Sequence, residues 1–303
     1  FAGTRFCFEI EMVADKEATL DNFNSVLKCI KNNTFRIGSG SRSGFGAVEV
    51  VEIKKMVLDL KEPTDLQTYL NKSSKLSEDC ALWQTDSKEE IEDNNWTRYK
   101  ITLTPNDFFL FSSGFGDEEV DSTPVVARKV EWEKNGKGQL SDHKTLIPAS
   151  SVKGALAHRV AFHYTKKMKR FAGCTGDNAP KVGGENEAVR MLFGYSDDKV
   201  QKRGNLLFSD IIEKEEYISK VMNHVSIDRF TGGAIEGALF NEKATYAKGK
   251  EIKFTVLLNK SVTDADVISA WENTLEDLCK SMLPLGGAVN KGYGMFTGEW
   301  NNK

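Results

Sequence analysis

The longest basic run of the chain, SSVKGALAHRVAFHYTKKMKR at residues 150–170, holds Lys153, Arg159, Lys166, Lys167, Lys169 and Arg170 and no acid. Val152, Leu156, Val160 and Tyr164 recur every four residues, the buried stripe of an amphipathic helix. Pro148 breaks any earlier helix, and Ser150 or Ser151 stands where an N-cap belongs. A helix start offers unpaired N–H groups and the positive end of the helix dipole, so Ser and Lys beside it make an anion site. The plainer alternative is a capped helix with a solvated basic face. Two glycine-rich stretches, IGSGSRSGFG at 37–46 and LGGAVNKGYG at 285–294, share the pattern G-x5-G-[FY]-G. Gly38, Gly44, Phe45 and Gly46 align with Gly286, Gly292, Tyr293 and Gly294. Without side chains, such loops let a phosphate backbone lie against main-chain N–H groups. Arg42 in one loop and Asn290 and Lys291 in the other are then placed to contact it. The alternative is a pair of tight connections needing positive φ.

The segment HVSIDRFTGGAIEGALFNEKATY, residues 224–246, sets two strand-like runs around TGGAIEG and reads as a long hairpin or flap. Arg229 and Phe230 offer a charge and a flat ring, suited to phosphate and to base stacking, or else a surface Arg beside a core Phe. The loop SSGFGDEEVDSTPVV carries Asp117, Glu118, Glu119 and Asp121, and alone it reads as a solvated acidic loop. His158 and His163 share the basic helix, but a five-residue step sets them about 140° apart, which argues against one shared face. His143 lies in a loop without an obvious partner, and His224 opens a strand. No HxxE, DxD, paired His or nucleophile elbow occurs, so a serine or cysteine hydrolase, a dinucleotide fold and a nucleotide-triphosphate site find no support.

The elements that must position these residues repeat. TRFCFEIEM (4–12) alternates Phe6, Phe8, Ile10 and Met12 as a half-buried strand. TLDNFNSVLKCIKNN follows as a helix with Leu20, Phe23, Val26, Leu27 and Ile30 at helical spacing and Asp15 or Thr19 as cap. The first glycine loop then leads into a strand, AVEVVEI. Near the C-terminus EIKFTVLL is a strand, and TDADVISAWENTLEDLCKSM is a helix with Val267, Ile268, Trp271, Leu275 and Leu278 on one face and Thr263 or Asp264 as cap. The second glycine loop leads into MFTGEW. Strand, helix and the same loop in one order constitute an internal repeat. The second unit has a full set: strand 98–112, helix 150–170, strand 204–213, hairpin 224–258, helix 263–282 and strand 293–300. This is the β-α-β-β-α-β order of an α+β, ferredoxin-like sheet with insertions. The first unit shows only the latter half of that order, which implies a chain that begins within a domain, and Phe at residue 1 fits that expectation.

Composition bounds the rest. With 303 residues, 44 acids and 41 bases the net charge is −3, so any nucleic-acid site must be a local patch rather than a whole-molecule field. From Glu78 to Asp93 seven acids face one base, Lys88, which reads as a solvated linker or an exposed helix within a connector at 62–97. The five cysteines are scattered without a CxxC spacing, which points to a reducing compartment. No uninterrupted apolar run approaches the roughly 18 residues of a membrane span.

Four stretches together resemble the RAMP superfamily of CRISPR-associated proteins, and among them the backbone subunits of type III effector complexes. They are GFGDEEVDSTPVV, LIPASSVKGALAHRV, VSIDRFTGGAIEGALF and PLGGAVNKGYG. The second is similar to the family's IPGSSLKGxLR signature, with Ala149 where glycine is usual. The resemblance implies a complete ferredoxin-like (RRM-like) domain at 98–303 with a thumb hairpin at 224–246. It also implies an acidic linker at 62–97 and the C-terminal half of a first such domain at 1–61. It implies polymerisation along a CRISPR guide RNA (crRNA) in a prokaryotic cytoplasm, with other RAMP and effector-complex subunits and a complementary target RNA as partners. Ser150, Ser151, Lys153 and Arg159, with Arg42 and the loop Gly286, Gly287, Asn290, Lys291, Gly292 and Tyr293, then hold RNA, and the thumb with Arg229, Phe230 and Thr231 wedges between nucleotides. In catalytic members an Asp in the loop after the first strand cuts target RNA, and Asp121 sits at that place. Attack by a ribose 2′-OH needs a base or a carboxylate holding Mg2+ or another divalent cation. The alternatives are a non-catalytic structural subunit and a repeat-processing endoribonuclease. The latter generally works with a histidine, and no histidine of the sequence pairs well with a basic or Tyr partner on one face.

Overall fold

A computed structural model describes residues 1–14, 17–76, 83–89, 91–176, 179–197, 200–213 and 217–302. They divide into two compact units: Gly3–Ile37 with Ala47–Asp93, and Phe1–Ala2 with Gly38–Gly46 and Asn94–Lys303.

The smaller unit holds helix α1 (Glu17–Lys31), strand β1 (Ile53–Lys55), helix α2 (Pro63–Leu70) and strand β2 (Gln84–Asp86), and the two strands pair antiparallel. None of its described residues is buried. The expected strand at 4–12 does not form, and Phe6, Phe8 and Ile10 stand exposed. Among the described residues no strand pairs with this segment, and an isolated strand is not stable in water. The expected strand at 47–53 begins only at Ile53. The proposed cap Asp15 and part of the acidic connector (77–82 and 90) lie outside the described residues, as does the side chain of Thr19. The connector itself carries α2 and β2.

In the larger unit the chain runs β3 (Trp96–Pro105), β4 (Phe108–Phe109), β5 (Val126–Ala127), the hairpin β6–β7 (Val130–Trp132 and Gly138–Leu140), β8 (Lys144–Ile147) and α3 (Ala149–Lys167). It continues through α4 (Glu187–Phe193), the hairpin β9–β10 (Gly194–Ser196 and Gln201–Arg203), β11 (Leu206–Leu207) and β12 (Ile211–Ile212). Last come β13 (Ile218–Ile227), β14 (Ala234–Tyr246), β15 (Ile252–Asn259), α5 (Ala265–Cys279) and β16 (Phe296–Asn302). The central sheet has the order β11-β15-β3-β16, antiparallel throughout. With α3 between β3 and β11 and α5 between β15 and β16, this is the expected βαββαβ, ferredoxin-like sheet of an α+β fold.

The expected stripes make the core. Val152, Leu156, Val160 and Tyr164 of α3, Val267, Trp271, Leu275 and Leu278 of α5, and the alternating Tyr99, Ile101 and Leu103 of β3 are all buried in one cluster. Each such side chain contributes about 2–3 kcal/mol by leaving water. Asp264 caps α5 as expected, accepting from the N–H groups of Asp266 (2.9 Å) and Val267 (3.2 Å).

Three boundaries differ from the sequence reading. Strand 98–112 divides into β3 and β4 around Asn106, whose N–H donates to Met295 O. Strand 204–213 divides between the central sheet (β11) and a side sheet in which β12 pairs with β8. Within 224–258 only β13 and β14 form the hairpin, which begins at Ile218, whereas β15 belongs to the central sheet. β14 also pairs with β4, and this roots the hairpin beside the glycine loop.

Candidate nucleic-acid interface

The two glycine loops have the same backbone. Aligned glycines share positive φ: 82° and 94° at Gly38 and Gly286, 103° and 92° at Gly44 and Gly292, and 77° and 71° at Gly46 and Gly294. The first loop, 38–46, belongs to the larger unit. There Gly44 bridges to Ser209, and a Cβ on it would lie 2.6 Å from Ala149 Cβ and 2.8 Å from Asp210 Oδ1. Only glycine fits so close to the start of α3. This packing sets Arg42, whose guanidinium lies 5.3 Å from the centre of the Trp96 ring, within electrostatic reach of Lys153. Burial, and after it the Arg42 charge, hold the Lys153 ammonium below the usual lysine value.

The start of α3 departs from expectation. Its N-cap is Pro148, which has no side-chain acceptor, and Asp210 Oδ1 takes the Ala149 N–H at 2.8 Å. Ser150 and Ser151 therefore do not cap the helix. They lie exposed in its first turn, with Lys153 half-buried behind them. A carboxylate already stands at the positive helix end, so a phosphate at this place is left with the hydroxyls and the two cations.

In the second loop the expected N–H cradle is largely used internally. Gly287 N–H donates to Leu110 O (2.7 Å), Lys291 and Tyr293 N–H to Ala288 O, and Gly292 N–H to Val289 O. A Cβ at Gly294 would lie 2.0 Å from Leu285 O, so this glycine is needed for chain packing. Gly286, Gly287, Asn290, Lys291 and Gly292 are exposed. Tyr293 is buried in a small cluster with Leu110 and Ala244, and its hydroxyl pKa is raised by burial and then by the Glu242 charge. Side chains of Asn290 and Lys291, rather than main-chain N–H groups, are what this loop presents.

At the hairpin tip Asp228 Oδ1 accepts the N–H groups of Phe230 (2.7 Å) and Thr231 (3.1 Å), so a short polar turn fixes the apex. Arg229 and Thr231 are exposed, and Phe230 is 100 % exposed, which decides against a core role for its ring.

At the hairpin foot Asp121 and Asn241 bond in both directions: Asp121 N–H donates to Asn241 Oδ1 and Asn241 N–H to Asp121 Oδ2, each at 2.8 Å. Ser122 continues as a bridge to Glu242, and Lys243 N–H donates to Ser122 O. The loop carrying Asp121 is thus laid along β14. Asp117, also exposed, accepts instead from the N–H groups of Glu119 and Val120 in its own loop, which hold its carboxyl below the usual range. Among the described residues no group of three or more His, Cys, Asp or Glu side chains is arranged to hold a metal ion. The described residues thus supply no pre-formed carboxylate cage for Mg2+.

Arg159 has a different setting. Its Nε lies 2.5 Å from Asp277 Oδ2, and His163 Nε2 lies 2.7 Å from the same oxygen. Both groups tie α3 to the buried Asp277 of α5. His224 Nε2 lies 2.8 Å from Glu242 Oε1, while Lys291 and Tyr293 face the same carboxylate. The structure therefore does set a histidine beside Lys and Tyr, through strand pairing that no local spacing reveals. Asp210, Asn241, Glu242 and Asp277 were missed in the sequence. The only signal was polar residues within otherwise patterned elements.

No helix among the described residues is long and apolar enough to cross a membrane. A comparison with curated proteins returns no match. The sequence profile of the RAMP superfamily matches residues 135–297, more than half of the chain, and covers α3, the hairpin, α5 and the second glycine loop. With that match over a ferredoxin-like sheet, the chain belongs to the RAMP superfamily.

Proposed function

We propose that the chain is a guide-RNA-binding backbone module of a type III CRISPR effector complex in antiviral defence, and that Asp121 cleaves the bound target RNA. RNA binding by CRISPR-associated proteins in multi-subunit assemblies is the general property of the superfamily. The observation that carries this reading to particular residues is the approach of Arg42 to Lys153 beside the exposed hydroxyls of Ser150 and Ser151. The Arg42 charge disfavours the charged form of Lys153, and a phosphate beside the pair favours it. A nucleic-acid phosphate is the anion that the fold family handles. Phe230 at the apex supplies a stacking face and Lys291 a further phosphate contact.

For cleavage, the Asp121 carboxylate takes the proton of a target ribose 2′-OH, and the 2′ oxygen attacks the adjacent phosphorus in line. The P–O5′ bond breaks, and the leaving 5′ oxygen takes a proton from water. This yields a 2′,3′-cyclic phosphate and a 5′-hydroxyl. Asn241 N–H fixes one carboxylate oxygen and leaves the other for the base. The test is incubation of the guide-loaded complex with complementary RNA: Asp121→Ala stops cutting and spares binding, and undiminished cutting sinks the assignment.

The reciprocal Asp121–Asn241 bonding favours a second reading, in which Asp121 only fastens its loop to the thumb and the subunit has no chemistry. In that case neither Asp121→Ala nor removal of the other loop acids changes any cleavage rate. Cleavage of a precursor guide RNA by the isolated chain without metal, lost in His224→Ala, would instead favour a repeat-processing endoribonuclease.

A further inference from the structure

Glu242 is buried at 4 % exposure on a hairpin whose other acids, Asp228 and Glu236, are not. A carboxylate taken out of water needs donors, and Glu242 has three. His224 Nε2 lies 2.8 Å from Oε1, Lys291 Nζ lies 3.6 Å from the same oxygen, and the Tyr293 hydroxyl faces it. His224 and Lys291 are the more exposed members of the group, at 30 % and 38 % against 5 % for the Glu242 side chain. Both rest on one ring: the His224 imidazole stacks on Phe240 at 6.2 Å, and Lys291 Nζ lies 5.7 Å from the same centre. An ammonium, an imidazole and a hydroxyl around one anion, open toward solvent, form the donor set that a phosphodiester needs. The contact from Lys291 is longer than a hydrogen bond, so the flexible lysine is held by charge alone and turns away at small cost. The neighbouring residue, Asn241, holds Asp121, which places this group at the foot of the proposed cleavage loop.

We propose that Glu242 is an internal stand-in for RNA phosphate: it competes with an RNA phosphodiester for Lys291, and an incoming phosphate takes the lysine while His224 and Tyr293 stay with the carboxylate. The inference rests on the RNA-binding reading above and assigns to it a residue that weakens binding. Removing the carboxylate charge while keeping its shape frees Lys291.

The experiment is titration of a fluorescent single-stranded RNA with the purified chain at low salt, with Glu242→Gln, Lys291→Ala and the double variant. Glu299→Gln, an exposed acid on β16, serves as the matched control for net charge. Glu242→Gln is expected to tighten binding about two- to fivefold beyond the control, the range of one partly exposed ion pair. Lys291→Ala is expected to weaken binding more in the Glu242→Gln background than in the wild type. A fall in affinity, a gain no larger than that of Glu299→Gln, or an equal effect of Lys291→Ala in both backgrounds overturns the proposal and leaves Glu242 as a structural anchor. Should Glu242→Gln not fold, the ring resonances of His224 in the wild type decide: saturating RNA moves them if a phosphate takes Lys291 from Glu242, and unmoved resonances overturn the proposal. Absence of RNA binding by every variant sinks the functional reading with it, whereas wild-type binding without the Glu242 effect sinks this inference alone.

Discussion

Asp121 and Asn241 hold each other through two hydrogen bonds of 2.8 Å, one in each direction between side chain and main chain. The pair converts an acidic loop into a short extension of the thumb strand, so the position of the carboxylate is set by the thumb. Asp121→Asn keeps an acceptor for the Asn241 N–H but removes the base. We expect it to abolish target cleavage with a melting temperature within about a degree of the wild type, since exposed sites change stability by under about 0.5 kcal/mol. Asn241→Ala keeps the base but loses one of the two bonds, and cleavage should fall about tenfold with binding intact. Quenched-flow cleavage of a complementary RNA and a thermal melt separate the two. Asn241→Ala cutting at the wild-type rate would show that the bond does not position the carboxylate.

Arg42 and Lys153 should report where phosphate binds. Removing one cation that neutralises a phosphate lowers the slope of log K against log salt by about 0.7 for a single strand. We expect Arg42→Ala and Lys153→Ala each to flatten the slope by that amount and to weaken RNA of any sequence equally, because phosphate carries no sequence information. Equilibrium binding at several salt concentrations checks this, and an unchanged slope in both variants excludes both residues from the phosphate site.

The fold was legible wherever one stripe or one local cap decides it. The four-residue repeat of Val152, Leu156, Val160 and Tyr164 and the alternation of Tyr99, Ile101 and Leu103 mark faces that become the core. Asp264 caps a helix through neighbours two and three residues on. The glycine pattern at 38–46 and 286–294 foretold a shared backbone, because positive φ is a property of the residue itself. What was not legible came from distant partners. The helix at 149 takes its acceptor from Asp210, so the adjacent serines are free of capping. The second glycine loop turns its N–H groups onto its own carbonyls and Leu110. The alternation at 4–12 predicts a strand, yet alternation cannot supply a neighbouring strand. Arg159 looked like part of a basic face, but an acid on another helix lies 2.5 Å away.

Arg159 therefore gives a prediction opposite to its basic neighbours. Asp277 is buried, which raises its pKa, but the bonds from His163 and Arg159 outweigh burial and hold it below the usual carboxylate range. Arg159→Ala removes one partner of a mostly buried charge and should destabilise by about 3 kcal/mol. RNA affinity of the folded protein should stay within about twofold. Urea denaturation and RNA binding below the transition test this together. A stable Arg159→Ala variant with a lower salt slope would return Arg159 to the RNA face.

Phe230 should behave in the reverse way. Its side chain touches solvent only, so Phe230→Ala leaves the melting temperature unchanged. If the ring stacks on a base, the substitution weakens RNA binding by about 1–3 kcal/mol, roughly five- to 150-fold. Equal affinity of Phe230→Ala and the wild type for guide–target duplex and single strand alike would remove the apex from the interface.

The acid limb of stability should be set in part by Glu187, in the first turn of α4. Burial raises its pKa, but bonds from Lys181 Nζ (2.8 Å) and Arg170 (2.9 Å) outweigh that and bring it down to about 2. A carboxyl depressed in the folded state binds fewer protons there than in the unfolded chain, so stability falls as pH falls. The contribution is complete above the ordinary Glu value near 4.5 and fades as pH drops from there toward about 2. Because the group is 40 % exposed, solvent screening holds its share to about 1 kcal/mol or less. Glu187→Gln should therefore lower stability slightly at pH 7 and flatten the decline between about pH 4.5 and 2. Denaturant unfolding at pH 7, 4.5 and 3 measures the difference between the two proteins. A difference that stays constant across those three values would mean that Lys181 and Arg170 do not depress this carboxyl.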